Sequence, residues 1–211
     1  MTTTRTVWGI GTSRTIRAHW ALLELELDYN IETVRTRTPD TETEIFKAIN
    51  PRQKIPVLQD GLITIGESAA IITYLAENYR DGSTILIPND RALRAKYFEW
   101  MSFICMELDA TSLYVLRRHW SLPEIYGDSP VANKASEDYF HRMINAAAKM
   151  VEPNWPYLLG DSFSGVDILM ATTLQWAIDY NQVLPNIFND YLSNLNNRPK
   201  YIAAMKVNKQ K

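Results

Sequence analysis

Through the first eighty positions, apolar residues come in short runs whose period switches between about two and about 3.6. Thr4 to Trp8 reads as a strand, and from Ser13 to Leu27 the residues Ile16, Trp20, Leu23 and Leu27 fall on one face of a helix. Asn30 to Arg37 resumes as a strand on Ile31, Thr33 and Val34. Thr41 to Ile49 follows as a short helix with Thr41 as its cap and Pro51 just past its end. Val57–Gln59 and Leu62–Ile65 flank Asp60-Gly61, a dipeptide that favours a tight two-residue hairpin turn, and Glu67 to Tyr79 is a helix. The order β-α-β-α-β-β-α predicts a small mixed sheet with helices on its faces.

Beyond it the pattern changes. RDGSTILIPND, from Arg80 to Asp90, gathers Gly, Pro, Asp and Asn as a connecting segment does, and after it strand signals stop. Arg91 to Trp120 and Val131 to Val151 are long helical patterns. Ser164-Gly165-Val166-Asp167 precedes the apolar run ILMATTLQWAI, placing Ser164 and Asp167 as a capping box with Phe163 and Ile168 as its hydrophobic staple. Short helices near Ile187–Leu195 and Lys200–Val207 complete the chain. The division expected is an α/β domain over 1–80, a linker over 81–90 and an all-α domain over 91–211.

Composition narrows the partners. A formal net charge of -2 and a pI near 5.9 argue against nucleic acid. MTTTRTVWG has no apolar signal core and no run approaches the length of a membrane span, so a cytoplasmic protein is expected. The single cysteine, Cys105, excludes an internal disulfide framework and a CxxC pair, and is expected to be a buried helix residue. His19, His119 and His141 are too scattered for a metal site. Gly9-Ile10-Gly11-Thr12-Ser13-Arg14 half-matches a dinucleotide fingerprint, but Arg14 stands where the third glycine should allow close packing.

The segment NPRQKIPVLQDGLITIGESAAIITYLAENY, Asn50 to Tyr79, carries the most chemistry. Pro56 lacks an N–H and suits the start of a strand, where it leaves the backbone of Ile55 free to pair with a peptide-like ligand. Glu67 and Ser68 sit at a helix start, beside unpaired N–H groups and the positive end of the helix dipole, a position suited to a carboxylate. An ordinary helix cap with an acidic first turn is the other reading of the same pair.

Taken together, RAHWALLELELDY at Arg17–Tyr29, NPRQKIPVL at Asn50–Leu58, GESAAIITYLAE at Gly66–Glu77 and FSGVD at Phe163–Asp167 resemble the cytosolic glutathione transferases in order and spacing. The resemblance covers nearly the whole chain. It implies a thioredoxin-like first domain followed by an all-helical one, a cis bond before Pro56, and an Ile55 backbone paired with the cysteinyl part of glutathione. It further implies that Ser68 holds the γ-glutamyl carboxylate, that Glu67 faces the ammonium and that Lys54 helps with the glycyl end. The family's thiolate donor, Ser, Tyr or Cys, lies just after the first strand, where this chain reads Gly11-Thr12-Ser13-Arg14-Thr15. It thus resembles the serine-type members with Ser13 as donor, or Thr12 if the register moves by one, while helix capping is the alternative for both. Without cysteine at this position, disulfide-exchange chemistry is not expected.

The activity implied is conjugation of glutathione, as co-substrate, to small hydrophobic electrophiles, with no cofactor and no metal. The second half would shape the electrophile site, with Tyr114 a candidate, and a homodimer is expected. A non-catalytic relative, or a glutathione-dependent peroxidase or isomerase, are the rival readings. The energetics are modest: a thiol with pKa about 8.5 needs about 2.7 kcal/mol to fall by two units. A hydroxyl donating to the thiolate supplies roughly 1.5–3 kcal/mol, and a helix N-terminus roughly 0.3–1 kcal/mol more.

Overall fold

The strand Arg5–Trp8 (β1) lies inside a four-stranded sheet because Val7 is fully buried and both edges of the strand are paired. The computed structural model describes residues 4–80, 84–152 and 154–210. Helix Thr15–Glu24 (α1) leads to Asn30–Glu32 (β2), which runs parallel to β1 with Val7 opposite Ile31. A 3₁₀ turn, Pro39–Glu42, and helix Glu44–Ile49 (α2) follow. Val57–Asp60 (β3) runs antiparallel to β1 with Leu58 opposite Val7, and Ile63–Gly66 (β4) closes the sheet in the order β2-β1-β3-β4. Helix Ser68–Asn78 (α3) completes the expected βαβαββα order.

Three local expectations shift. Thr43, not Thr41, caps α2, its hydroxyl accepting from the Phe46 N–H at 3.2 Å, because the intervening 3₁₀ turn uses Thr38 as its own cap and buries Thr41. Asp60 pairs with Ile63, so the two hairpin residues are Gly61, at φ +59°, and the fully exposed Leu62, one position later than Asp60-Gly61. Asp60 is retained in the strand by the Tyr74 hydroxyl, which donates at 3.1 Å, and by the Tyr79 hydroxyl. β2 ends at Glu32, well short of Arg37.

The chain divides into two units, and the division differs from the sequence expectation. Residues up to Ile87 group with those from Asn196 onward, while Pro88–Leu195 form the second unit. Part of the expected linker, 81–83, lies outside the described residues; the rest is split between the units. The first unit therefore contains helix Pro199–Asn208, labelled α10 below, which packs on α1 with the Trp20 and Tyr201 rings 4.7 Å apart. An ion pair fixes the contact: Arg198 donates to both oxygens of the buried Glu24 at 3.0 and 2.8 Å, and the Trp20 indole N–H donates to the same carboxylate at 2.8 Å.

The second unit opens with Arg91–Phe103 (α4), whose N-cap Asp90 accepts from the Ala92 and Leu93 N–H groups, each at 2.9 Å. The same rod continues as π-helix over Ile104–Leu113, as Tyr114–Leu116 (α5), and as π-helix again over Arg117–Ser121. Cys105 lies on the first π segment and is half-buried rather than buried. Pro123–Tyr126 (α6), Pro130–Ala148 (α7), Gly165–Asp179 (α8) and Asn186–Asn196 (α9) follow. α8 is buried nearly all round, as a central helix must be when apolar on every face. Its capping box is formed, Asp167 accepting from Ser164 N–H at 2.8 Å, Leu158 N–H at 2.9 Å and the Tyr191 hydroxyl at 2.8 Å. Burial pushes the Asp167 carboxyl up against these hydrogen bonds, and burial beside Asp167 pushes the Tyr191 hydroxyl well above its ordinary range. Among the described residues no helix is long and apolar enough to cross a membrane.

Candidate functional site

All of the residues expected to hold glutathione fall in the first unit, on three neighbouring turns. The first turn leaves β1. Gly9 sits at φ +123°, and a Cβ built there would come within 2.6 Å of the Ile55 Cβ and 3.1 Å of the Thr15 methyl, so only glycine allows Ile55 to approach. Buried His19 holds the turn from beneath. Its Nε2–H donates to the Gly9 carbonyl at 3.0 Å, and Nδ1 accepts from the Tyr29 hydroxyl at 3.2 Å. Burial lowers the His19 pKa from 6.5 to about 4 and raises that of Tyr29 to about 12, so the pair is neutral.

Within this turn the two candidate donors have different surroundings. The Thr12 hydroxyl accepts from the Thr15 N–H at 3.0 Å and the Arg14 N–H at 3.3 Å, and lies 3.1 Å from the Thr15 hydroxyl. It acts as the local cap of α1, whose formal N-cap Arg14 makes no side-chain cap bond. The Ser13 hydroxyl is half-buried and has no hydrogen-bond partner among the described residues.

The second turn precedes β3. The Ile55-Pro56 bond is cis, Pro56 is buried and Ile55 half-buried. Asn50 shapes the turn by donating its side-chain amide to the Lys54 carbonyl at 2.7 Å and accepting from the Arg52 N–H at 3.2 Å. The Lys54 side chain is exposed. Among the described residues no hydrogen bond engages the Ile55 N–H or C=O.

The third turn begins α3. Glu67 is its N-cap with φ +65° and ψ +115°, a region that costs a non-glycine residue roughly 1–3 kcal/mol, and it makes no cap bond. Its carboxylate instead pairs with Arg52 at 3.0 Å across an exposed surface. The first α3 backbone bond runs from Ile71 N–H to Glu67 C=O, leaving the N–H groups of Ser68, Ala69 and Ala70 without a side-chain cap. Ser68 is buried, and the fully buried Arg17 donates to its Oγ at 3.2 Å, so the serine's own hydrogen remains for an outside acceptor. Arg17 was not among the residues singled out from sequence. On α1 its position reads as one more helical residue, and only its burial beside Ser68 reveals it.

Uncapped helix N–H groups, a serine hydroxyl supported by a guanidinium, and a strand start with open backbone are chemically suited to a small anionic peptide. Residues 13–78 match the family model described as glutathione S-transferase, N-terminal domain. The first domain thus matches the glutathione S-transferase N-terminal model, and the chain is similar to members of that family. It is 27% identical over 171 residues to glutathione S-transferase F14 of Arabidopsis thaliana, a match covering 78% of this chain and 65% of that protein. Its fold matches a theta class glutathione S-transferase of Xanthomonas axonopodis pv. citri with glutathione bound, at TM-score 0.78 and 24% identity, over 96% of this chain and 97% of that one. It also matches Ure2p in complex with glutathione at TM-score 0.82 and 17% identity, over 98% and 95% of the two chains.

In the second unit, Tyr114, the expected electrophile-site candidate, is half-buried at the start of α5. The Arg118 and Arg117 guanidinium carbons stand 4.7 and 5.9 Å from its ring centroid, an aromatic face loaded with positive charge.

Proposed function

We propose that the protein is a glutathione transferase, joining the glutathione thiolate to a small hydrophobic electrophile. Ser68 and the open N–H groups of α3 take the γ-glutamyl carboxylate. Glu67 turns from Arg52 to the ammonium, a change that costs little because an exposed ion pair is worth about 0–1 kcal/mol. The Ile55 backbone pairs with the cysteinyl residue behind Pro56, and Lys54 meets the glycyl end. Ser13 donates its hydroxyl hydrogen to the sulfur, while Thr12 keeps the N-terminus of α1 in place behind it. No cofactor or metal enters this scheme. The second unit supplies the electrophile site, with Tyr114 on its wall, and the working form is a homodimer. The observation that carries this reading is the Arg17–Ser68 contact, which turns a serine at an uncapped helix start into an outward donor.

Retention on immobilised glutathione, combined with a thiol-conjugation assay on wild type, Ser13→Ala and Thr12→Ala, tests it. Loss of a donor worth roughly 1.5–3 kcal/mol lowers turnover about 10- to 150-fold. Ser13→Ala should show that loss with retention preserved. Full activity in Ser13→Ala beside a collapse in Thr12→Ala would move the donor to Thr12, and retention by wild type without turnover would make the protein a binding module.

A further inference from the structure

The turn that presents Ser13 is locked by a residue almost two hundred positions away. Asn208, the last residue of α10, is buried and engages the turn with both ends of its amide. Its Oδ1 accepts from the Gly11 N–H at 3.0 Å and from the Thr15 hydroxyl at 2.6 Å, and its Nδ2 donates to the Thr12 carbonyl at 3.1 Å. Its backbone carbonyl also accepts from Gly11 N–H at 3.0 Å. The amide can face only one way, because the Thr12 carbonyl accepts and cannot donate.

This orientation fixes the neighbouring hydroxyls. Thr15 Oγ1 has one hydrogen, and the 2.6 Å contact to Asn208 is its shortest acceptor contact. Thr15 Oγ1 then receives the Thr12 N–H at 2.9 Å and has a lone pair left for the Thr12 hydroxyl at 3.1 Å. With Thr12 and Thr15 so committed, Ser13 is the hydroxyl of this turn without an internal partner among the described residues. The charged residues adjoining these segments are Arg14, the N-cap of α1, Arg17 in its first turn, and Lys209 after Asn208, while Arg35 donates to the Gln210 carbonyl.

We propose that Asn208 is a positioning residue for thiolate formation, holding Gly11, Thr12 and Thr15 so that Ser13 and the α1 N-terminus stay aimed at the glutathione sulfur. The inference rests on the reading of the site given above. The thiol's proton leaves to solvent, and no bond to Asn208 forms or breaks. Loss of the clamp therefore raises the pKa of bound glutathione while leaving its affinity for the protonated thiol in place, since the α3 and Ile55 contacts are untouched.

The test compares wild type, Asn208→Ala and the near-isosteric Asn208→Asp, which keeps the side-chain volume but replaces the donor to the Thr12 carbonyl with a second acceptor. Three measurements are needed: ultraviolet difference absorbance of bound thiolate against pH, the pH profile of kcat for conjugation, and equilibrium affinity for glutathione. Both variants should move the thiolate titration and the kcat profile upward by about one pH unit, a roughly fivefold loss near pH 6.5 that is recovered at alkaline pH. Affinity measured at pH 6.5 should change less than threefold. A purely structural role would lower activity by the same factor at every pH, or lower affinity and rate together, and either result overturns the proposal. Urea midpoints of both variants identify the folded fraction. If wild type forms no thiolate signal with glutathione, the functional reading fails and the positioning role with it. A wild-type signal with unshifted variants overturns the positioning role alone.

Discussion

Acidification should unfasten the turn beneath Gly9 through a single imidazole. The Gly9 carbonyl can only accept, so the hydrogen of neutral His19 is on Nε2, and Nδ1 receives the Tyr29 hydroxyl. A second proton would have to sit on Nδ1, in a fully buried site, facing a hydroxyl that already donates to it. Burial accordingly lowers the pKa from 6.5 to about 4. The unfolded chain therefore binds more protons than the folded one between these values. The stability contribution is complete above pH 6.5 and lost as pH falls towards 4. At about 1.36 kcal/mol per tenfold change, the full loss approaches about 3 kcal/mol, and by pH 4.5 it exceeds ~2 kcal/mol. Urea unfolding of wild type and His19→Gln, followed by tryptophan fluorescence at pH 7.5, 5.5 and 4.5, isolates it, because every other titrating group is common to both. Glutamine offers amide N–H donors and a carbonyl acceptor and takes up no proton. The advantage of wild type over the variant should shrink by more than ~2 kcal/mol between pH 7.5 and 4.5. Parallel stability curves across that range would refute the assignment of a buried, neutral His19.

The ion pair between α1 and α10 leads to a second expectation: Arg198→Met strands the Glu24 carboxylate in a buried site and should cost about 3–5 kcal/mol in urea denaturation, with Arg198→Met/Glu24→Gln recovering at least half. Asp167→Ala orphans the buried donors of Ser164, Leu158 and Tyr191, each worth about 1–3 kcal/mol, and thermal unfolding should show a loss of at least ~3 kcal/mol. Gly9→Ala meets both the φ of +123° and the Ile55 side chain, so it should lose about 1–3 kcal/mol of stability from strain and, by displacing Ile55, most of its retention on immobilised glutathione.

Much of the site was readable because its information is local. The Asn50–Tyr79 segment places its strand start, hairpin and helix start within thirty residues, and turn chemistry and periodicity report such features directly. The capping box of Ser164 and Asp167 was legible for the same reason, as two residues three apart. The hairpin turn slipped by one because Tyr74 on α3 and Tyr79 just past its end, far from the turn dipeptide, hold Asp60 in the strand. Thr41 lost its role to Thr43 because a 3₁₀ turn consumed the residues between, and such turns leave no apolar period. Arg17, His19 and Asn208 act through contacts 10 to 197 residues apart in sequence, and nothing in their neighbourhoods announces them. The grouping of residues from Asn196 onward with the first unit was hidden likewise, since α10 has an ordinary helical sequence and its partner is α1.

That grouping has a consequence for biosynthesis. The sheet and α3 are encoded before Ile87, but the amide that secures the Gly11–Thr15 turn is not made until Asn208. At about 5–20 residues per second, the nascent first unit waits roughly 6–24 s for its last fastening while all of Pro88–Leu195 is translated. During that interval Arg17, Ser68 and the start of α3, the proposed carboxylate site, are already made, whereas the Gly11–Thr15 turn still lacks its clamp. A polypeptide released early, or clipped ahead of α10, would keep the Arg17–Ser68 contact and lack the amide that fastens the Gly11–Thr15 turn.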